Sequence, residues 1–213
     1  MIRLGVVDDH PAIADAIARR AEAAGDLEVA AIARSATEGA VLLRSPDLDV
    51  VILDLDLGDG PSGLALLSDP PHGHRPPVIV VSAVRTPSLV RAAVELGASG
   101  YLTKTADVDE ILLAARTVVA GGTWYRVADL QASATAPRAP SGRELGVLAC
   151  VVAGLTNDEV GLRLGLSVKT VESHLRRLFD RYGVASRTEL AVLAIREGWV
   201  GSVDGSPASP ERP

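Results

Sequence analysis

Short apolar runs alternate with helical patterns over the first 120 residues. IRLGVVD (2–8), LEVAAIA (27–33), DVVILD (49–54), PVIVVSA (77–83) and GYLTK (100–104) read as strands. After each of them, apolar positions recur every three to four residues. That period predicts helices over about Pro11–Ala24, Thr37–Leu43, Gly63–Leu67, Ser88–Leu96 and Val108–Ala120. Pro and Gly punctuate most junctions. Five β-α units in series imply a sheet buried on both faces and joined by right-handed crossovers. The fold class expected for residues 1–120 is α/β, a doubly wound five-stranded parallel sheet.

Residues 121–140, GGTWYRVADLQASATAPRAP, break the pattern with small residues and prolines and read as an interdomain linker. Residues 141–200 are helical only, with helices expected over 142–153, 156–164, 168–182 and 187–197, a separate all-α unit. Thr156 with Glu159 three residues on forms a capping box, and Ser167 is positioned to cap the next helix. The segment 201–213, GSVDGSPASPERP, has no apolar content to fold and is expected to be disordered.

Charge sharpens this division. The net charge of −6 is uneven: residues 1–120 hold ten Lys/Arg against seventeen Asp/Glu, and residues 141–200 hold eight against seven. The acid belongs to the first unit, so the total does not exclude nucleic acid as a partner of the second. The single cysteine, Cys150 in LGVLACVVAGL, reads as core and excludes an internal disulfide. Without a signal-peptide pattern or membrane-length apolar run, a soluble cytoplasmic protein is expected, with no membrane partner.

Candidate chemistry gathers at the strand ends, because an open parallel sheet binds ligands beyond the carboxyl ends of its strands. The run VVILDLDLGDG (50–60) places Asp54 at the tip of a strand buried on both sides. A buried carboxylate is costly unless paired or bound. Asp8 and Asp9 follow the first strand, Ser82 ends the fourth, and Lys104, the only lysine of residues 1–120, ends the fifth. Three carboxylates on one rim raise one another's pKa unless a cation offsets them, which calls for a hard divalent metal such as Mg²⁺. Asp56 and Asp59 read equally well as turn or cap residues. His10, next to the acid pair, receives no role, and His72 and His74 read as a solvated loop.

VVDDH, VVILDLDLGDG, VVSA and GYLTK resemble, in order and spacing, the receiver domain of two-component response regulators. The resemblance implies a flavodoxin-like sheet in the order 2-1-3-4-5. Asp54 would then be the acceptor of a phosphoryl group from a sensor histidine kinase. Mg²⁺ would be held by Asp8, Asp9, Asp54 and the backbone carbonyl of Asp56. Lys104 would meet the phosphoryl oxygens, Ser82 would hydrogen-bond one of them, and Tyr101 would be the aromatic that turns inward as Ser82 moves. One departure is the acceptor loop, where Gly58 stands in a stretch in which the family often has a proline.

SGRELGVL and GLTNDEVGLRLGLSVKTVESHLRRLFDRYGVASRTEL are similar to the LuxR-type helix-turn-helix domain, and the tandem matches the NarL/FixJ family. The resemblance implies a recognition helix over about 168–182. Glu172, Ser173 and Arg176 would read base edges, with Lys169, Thr170, Arg177 and Arg187 at the DNA surface. Double-stranded promoter DNA with two half-sites, and a homodimer through the last helix, are the implied partners. The receiver is expected to cover the recognition helix in an inactive form and release it in an active one.

The leading expectation is a DNA-binding response regulator, catalytic only in its own phosphorylation and dephosphorylation. A regulator whose receiver dimerises without phosphorylation is the alternative. A phosphohydrolase is disfavoured, because the rim supplies no acid/base residue beyond the cluster.

Overall fold

The computed structural model describes residues 1–58, 62–68 and 75–200. Five strands, β1 (Ile2–Val7), β2 (Leu27–Ala33), β3 (Val50–Asp54), β4 (Val78–Ser82) and β5 (Gly100–Thr103), pair in parallel in the order β2-β1-β3-β4-β5. The helices that follow them are α1 (Pro11–Ala24), α2 (Ala36–Leu42), α3 (Gly63–Ser68), α4 (Pro87–Glu95) and α5 (Val108–Val119). Alternation along each strand divides the core. Leu4, Val6, Val50, Ile52, Ile79 and Val81 pack with Ile17 of α1 and with Ile111, Leu112 and Val118 of α5. Val7, Val51, Leu53, Val78, Val80 and Tyr101 turn to the other face, toward Leu64 and Leu67 of α3 and Leu89 of α4. That second cluster runs on into the C-terminal unit, where it includes Leu145, Leu148, Leu178 and Trp199.

Within the segment read as linker, the structure places a helix, α6 (Val127–Thr135), packed on α4. Its residues are mostly exposed, and only Ser133 among them is buried. Docking holds it in place: the Arg91 guanidinium reaches the Ala134 and Ala136 carbonyls, and Tyr125 donates to the Ala98 carbonyl. Four helices follow: α7 (Gly142–Val152), α8 (Asn157–Leu164), α9 (Val168–Tyr182) and α10 (Arg187–Arg196). Ser141 with Glu144 and Thr156 with Glu159 form capping boxes at α7 and α8, and the Ser167 hydroxyl accepts from Thr170 N–H at α9. Each satisfies amide donors that a helix start would otherwise leave unpaired. A bidentate ion pair from Arg181 of α9 to Glu144 of α7, at 2.9 and 3.0 Å, ties the unit across its core. Cys150 is buried. Asp59, His72, His74 and residues 201–213 lie outside the described residues.

The expected covering of the recognition helix is not the arrangement observed. The receiver meets the C-terminal unit through α3 against α7, and through the loop before α4 against the end of α10. Lys169, Glu172, Ser173, Arg176 and Arg177 on the outer face of α9 are exposed.

Candidate phosphoacceptor site and nucleic-acid interface

The parallel register brings the ends of β1, β3, β4 and β5 to one rim. Asp54, the last residue of β3, and Asp8, just beyond β1, are almost fully buried, with relative exposures of 1 % and 3 %. Lys104, just past β5, is fixed by its backbone N–H donating to the Ser82 carbonyl at 2.9 Å. Its ammonium lies 2.7 Å from Asp54 Oδ2 and 3.2 Å from Asp8 Oδ2. Burial pushes the Asp54 carboxyl up to about 6, against the hydrogen bond and charge of Lys104, which pull it down. Burial also works to lower the Lys104 ammonium, but the bond and charge of Asp54 outweigh it and hold it above the ordinary lysine value. One ammonium thus serves two buried carboxylates.

Two glycines shape the loop that presents Asp54. Gly63 begins α3 so close to the strand that an added Cβ would lie 2.1 Å from the Asp54 carbonyl oxygen. Gly58 has φ +65, and an added Cβ there would stand 3.3 Å from Asp9 Oδ2. This left-handed turn beside the acid pair is one that a proline, whose φ is fixed near −65°, cannot make. The Asp56 N–H donates to Asp54 Oδ1 at 3.1 Å, orienting the carboxylate, while the Asp56 side chain is exposed.

Carboxylate oxygens of Asp8, Asp9 and Asp54 and a ring nitrogen of His10 all lie within 4.8 Å of one another. This donor set fits a divalent cation: hard oxygens predominate, and the negative charge exceeds what Lys104 offsets. His10 carried no assigned role in the sequence pattern. In the structure its Nδ1 is 2.6 Å from Asp9 Oδ1 and 3.3 Å from Asp8 Oδ1, and its backbone N–H donates to Asp8 Oδ1 at 2.8 Å. The signal was adjacency, since a residue that starts a helix directly after two strand-end acids stays beside them.

Ser82 and Tyr101 meet at the Val84 peptide. The Ser82 Oγ accepts from Val84 N–H at 3.3 Å, and Tyr101 Oη donates to the Val84 carbonyl at 2.5 Å, so both side chains hold the Val84 peptide. Tyr101 is 3 % exposed, and burial pushes its phenol well above the usual value. The side chain that the resemblance assigns to the switch is therefore already inside, tied to the loop between β4 and α4.

In the second unit, α8 ends at Gly165 in the left-handed conformation and α9 begins after Ser167, a tight helix-turn-helix. Val171, Leu175 and Leu178 bury the inner face of α9, whereas Val168 at its first turn is 37 % exposed. Thr170 is half-buried, with its Oγ1 2.7 Å from the Ser167 hydroxyl. Arg187 is held differently from the expectation. Its guanidinium donates to Asn157 Oδ1 at 3.0 Å and to the Leu155 carbonyl, bridging α10 to the loop before α8.

Residues 4–116 match the model of the response regulator receiver domain, and residues 141–194 match that of bacterial regulatory proteins of the luxR family. The chain belongs to the two-component response regulators with a LuxR-type DNA-binding domain. It is 34 % identical to the transcriptional regulatory protein UhpA of Salmonella typhimurium, over 93 % of this chain and 100 % of that one. It is 31 % identical to the transcriptional regulatory protein LiaR of Bacillus subtilis, over 92 % and 98 % of the two chains. Among solved structures, the response regulator ChrA of a heme-sensing two-component system aligns over 93 % of this chain and 98 % of its own, with 27 % identity and a TM-score of 0.51. RcsB of Salmonella enterica serovar Typhimurium, bound to a promoter, shares the fold at a TM-score of 0.67 with 24 % identity, over 90 % and 96 %. Among the described residues of this regulator, no helix is long and apolar enough to cross a membrane.

Proposed function

We propose that Asp54 accepts a phosphoryl group from a phosphohistidine of a sensor kinase, and that this acylphosphate controls DNA binding by the C-terminal unit. The observation that carries the reading is the Lys104 ammonium 2.7 Å from Asp54 Oδ2, a cation placed where transferred oxygens would arrive. An Asp54 oxygen forms a bond to phosphorus as the phosphorus–nitrogen bond of the donor breaks, and the electron pair leaves with the imidazole. Such a transfer needs mainly positioning and nearby positive charge. Asp8, Asp9, Asp54 and the Asp56 carbonyl would hold Mg²⁺, which when bound offsets phosphoryl charge. Lys104 pairs with phosphoryl oxygens, and the Ser82 hydroxyl turns from the Val84 N–H to donate to one of them. Water attacking the same acylphosphate resets the switch, the only turnover assigned to the protein.

On the DNA side, α9 enters the major groove. Glu172, Ser173 and Arg176 face base edges, and Lys169, Thr170 and Arg177 face the backbone. The charge surplus of this helix is small, so a single unit binds modestly and a homodimer through α10, whose Val192 and Ile195 are exposed, reads two half-sites. The protein acts in the cytoplasm, where its DNA is. Selection from a random duplex library tests this. With phosphodonor, wild type enriches two-fold related half-sites spaced by about 10 base pairs, and Asp54→Asn does not. Equal enrichment by both proteins without donor would instead support phosphorylation-independent dimerisation.

A further inference from the structure

The receiver and the DNA-binding unit touch just past Val84, the residue that Ser82 and Tyr101 hold. Thr86 caps α4, its Oγ1 accepting from Leu89 N–H at 3.3 Å, and the same hydroxyl donates to the backbone carbonyl of Glu197 at 3.0 Å. Two residues on, Ser88 is 1 % exposed, and its hydroxyl donates to Glu197 Oε2 at 2.5 Å. Glu197 is itself the C-cap of α10, with its other carboxylate oxygen 3.3 Å from the Arg196 guanidinium. Two helices from different domains therefore meet cap to cap. A carboxylate stands at the positive end of α4, an arrangement favoured by the helix dipole and by a charge-assisted hydrogen bond. The fit is close: a Cβ added at Gly198 would come within 3.1 Å of Val84 Cγ1 and 3.2 Å of Leu89 Cδ2. From there Trp199, 1 % exposed, lies 4.7 Å from Tyr182 at the end of α9.

We infer that Glu197 is a latch: it reads the position of the loop between β4 and α4 and fixes the DNA-binding unit on the receiver. The stretch 84–88 carries the connections of this latch. Val84 is held by Ser82 and Tyr101, Arg85 lies 3.6 Å from Asp129 of α6, and Thr86 and Ser88 hold Glu197. When Ser82 turns toward a phosphoryl group it lets go of the Val84 N–H, the loop is left with the Tyr101 bond alone, and the α4 cap shifts away from Glu197. The outer face of α9 is exposed throughout, so the latch governs how the unit is oriented toward a second copy rather than whether α9 is covered. The inference rests on the reading of Asp54 as acceptor only for what opens the latch. The latch itself is a property of the unmodified chain.

The test uses the full chain with no phosphodonor. Glu197→Gln and, from the receiver side, Ser88→Ala each speed amide hydrogen exchange at both 84–89 and 194–200 by at least about fivefold, the low end of ordinary coupling between sites. The double variant adds little to either, because both remove the same contact. Since coupling is reciprocal, each variant also binds beryllofluoride with Mg²⁺ more tightly by a similar factor. Exchange that is unchanged in both single variants, or faster only at the mutated element, would overturn the latch. Faster exchange in a protein that never takes a phosphoryl group on Asp54 would keep the latch and overturn the acceptor reading.

Discussion

The Lys104 ammonium lies 2.7 Å from Asp54 Oδ2, yet burial keeps the Asp54 carboxyl up at about 6. The two facts belong together. A carboxylate with 1 % exposure loses more hydration than one lysine, shared with Asp8, returns. The site is therefore short of positive charge at neutral pH, a deficit that a divalent cation held there would relieve.

This deficit fixes a pH dependence. An unfolded aspartate titrates near 3.8, and folded Asp54 near 6 in metal-free protein. Between the two the folded chain holds the extra proton, so the stability contribution is present at low pH and is lost as pH rises through 6. In EDTA, Asp54→Asn is expected to be more stable than wild type by roughly 1–3 kcal/mol at pH 7.5. Urea unfolding at several pH values should show the gap closing toward pH 4.

Removing the partner acts in the opposite direction. Lys104→Met leaves Asp54 and Asp8 buried without their cation, and a loss of roughly 3 kcal/mol at pH 7.5 is expected. The loss shrinks at pH 5, where Asp54 is mostly protonated. A variant as stable as wild type at both values would show that the ammonium does not offset the pair.

Gly63→Ala probes the backbone beneath the site. The added methyl would meet the Asp54 carbonyl at 2.1 Å, where only the main chain can give way. Thermal unfolding should show destabilisation of about 2 kcal/mol or more.

Two arginines that look alike in the sequence should separate on DNA. Arg176 is exposed on α9, whereas Arg187 bonds Asn157 and the Leu155 carbonyl. Arg176→Ala should weaken DNA binding with stability changed by less than about 0.5 kcal/mol. Arg187→Ala should cost roughly 1–2 kcal/mol of stability. It should leave the salt dependence of binding unaltered. Anisotropy titrations at several salt concentrations, beside urea unfolding, distinguish the two.

The strands and the rim were legible because buried parallel strands carry an unambiguous apolar signal and the rim strands end on polar residues with their own chemistry. The strand order came from the family resemblance. Helix α6 was not legible. VADLQASAT has little apolar periodicity, and the helix is held by carbonyls that Arg91 reaches from α4, a contact no local pattern encodes. Arg187 shows the same limit: its spacing places it near DNA, and its bond to the Leu155 carbonyl, thirty-two positions away, is one that no local pattern encodes. The meeting of Glu197 with Ser88 spans 109 positions and leaves no trace in either helix's pattern.

The most direct measurement is the intact mass of wild type and Asp54→Asn after incubation with Mg²⁺ and a small-molecule phosphodonor. One added phosphoryl group on wild type and none on the variant is the predicted result. An equal adduct on both proteins, or none on wild type while another receiver is labelled in the same tube, would contradict Asp54 as the acceptor.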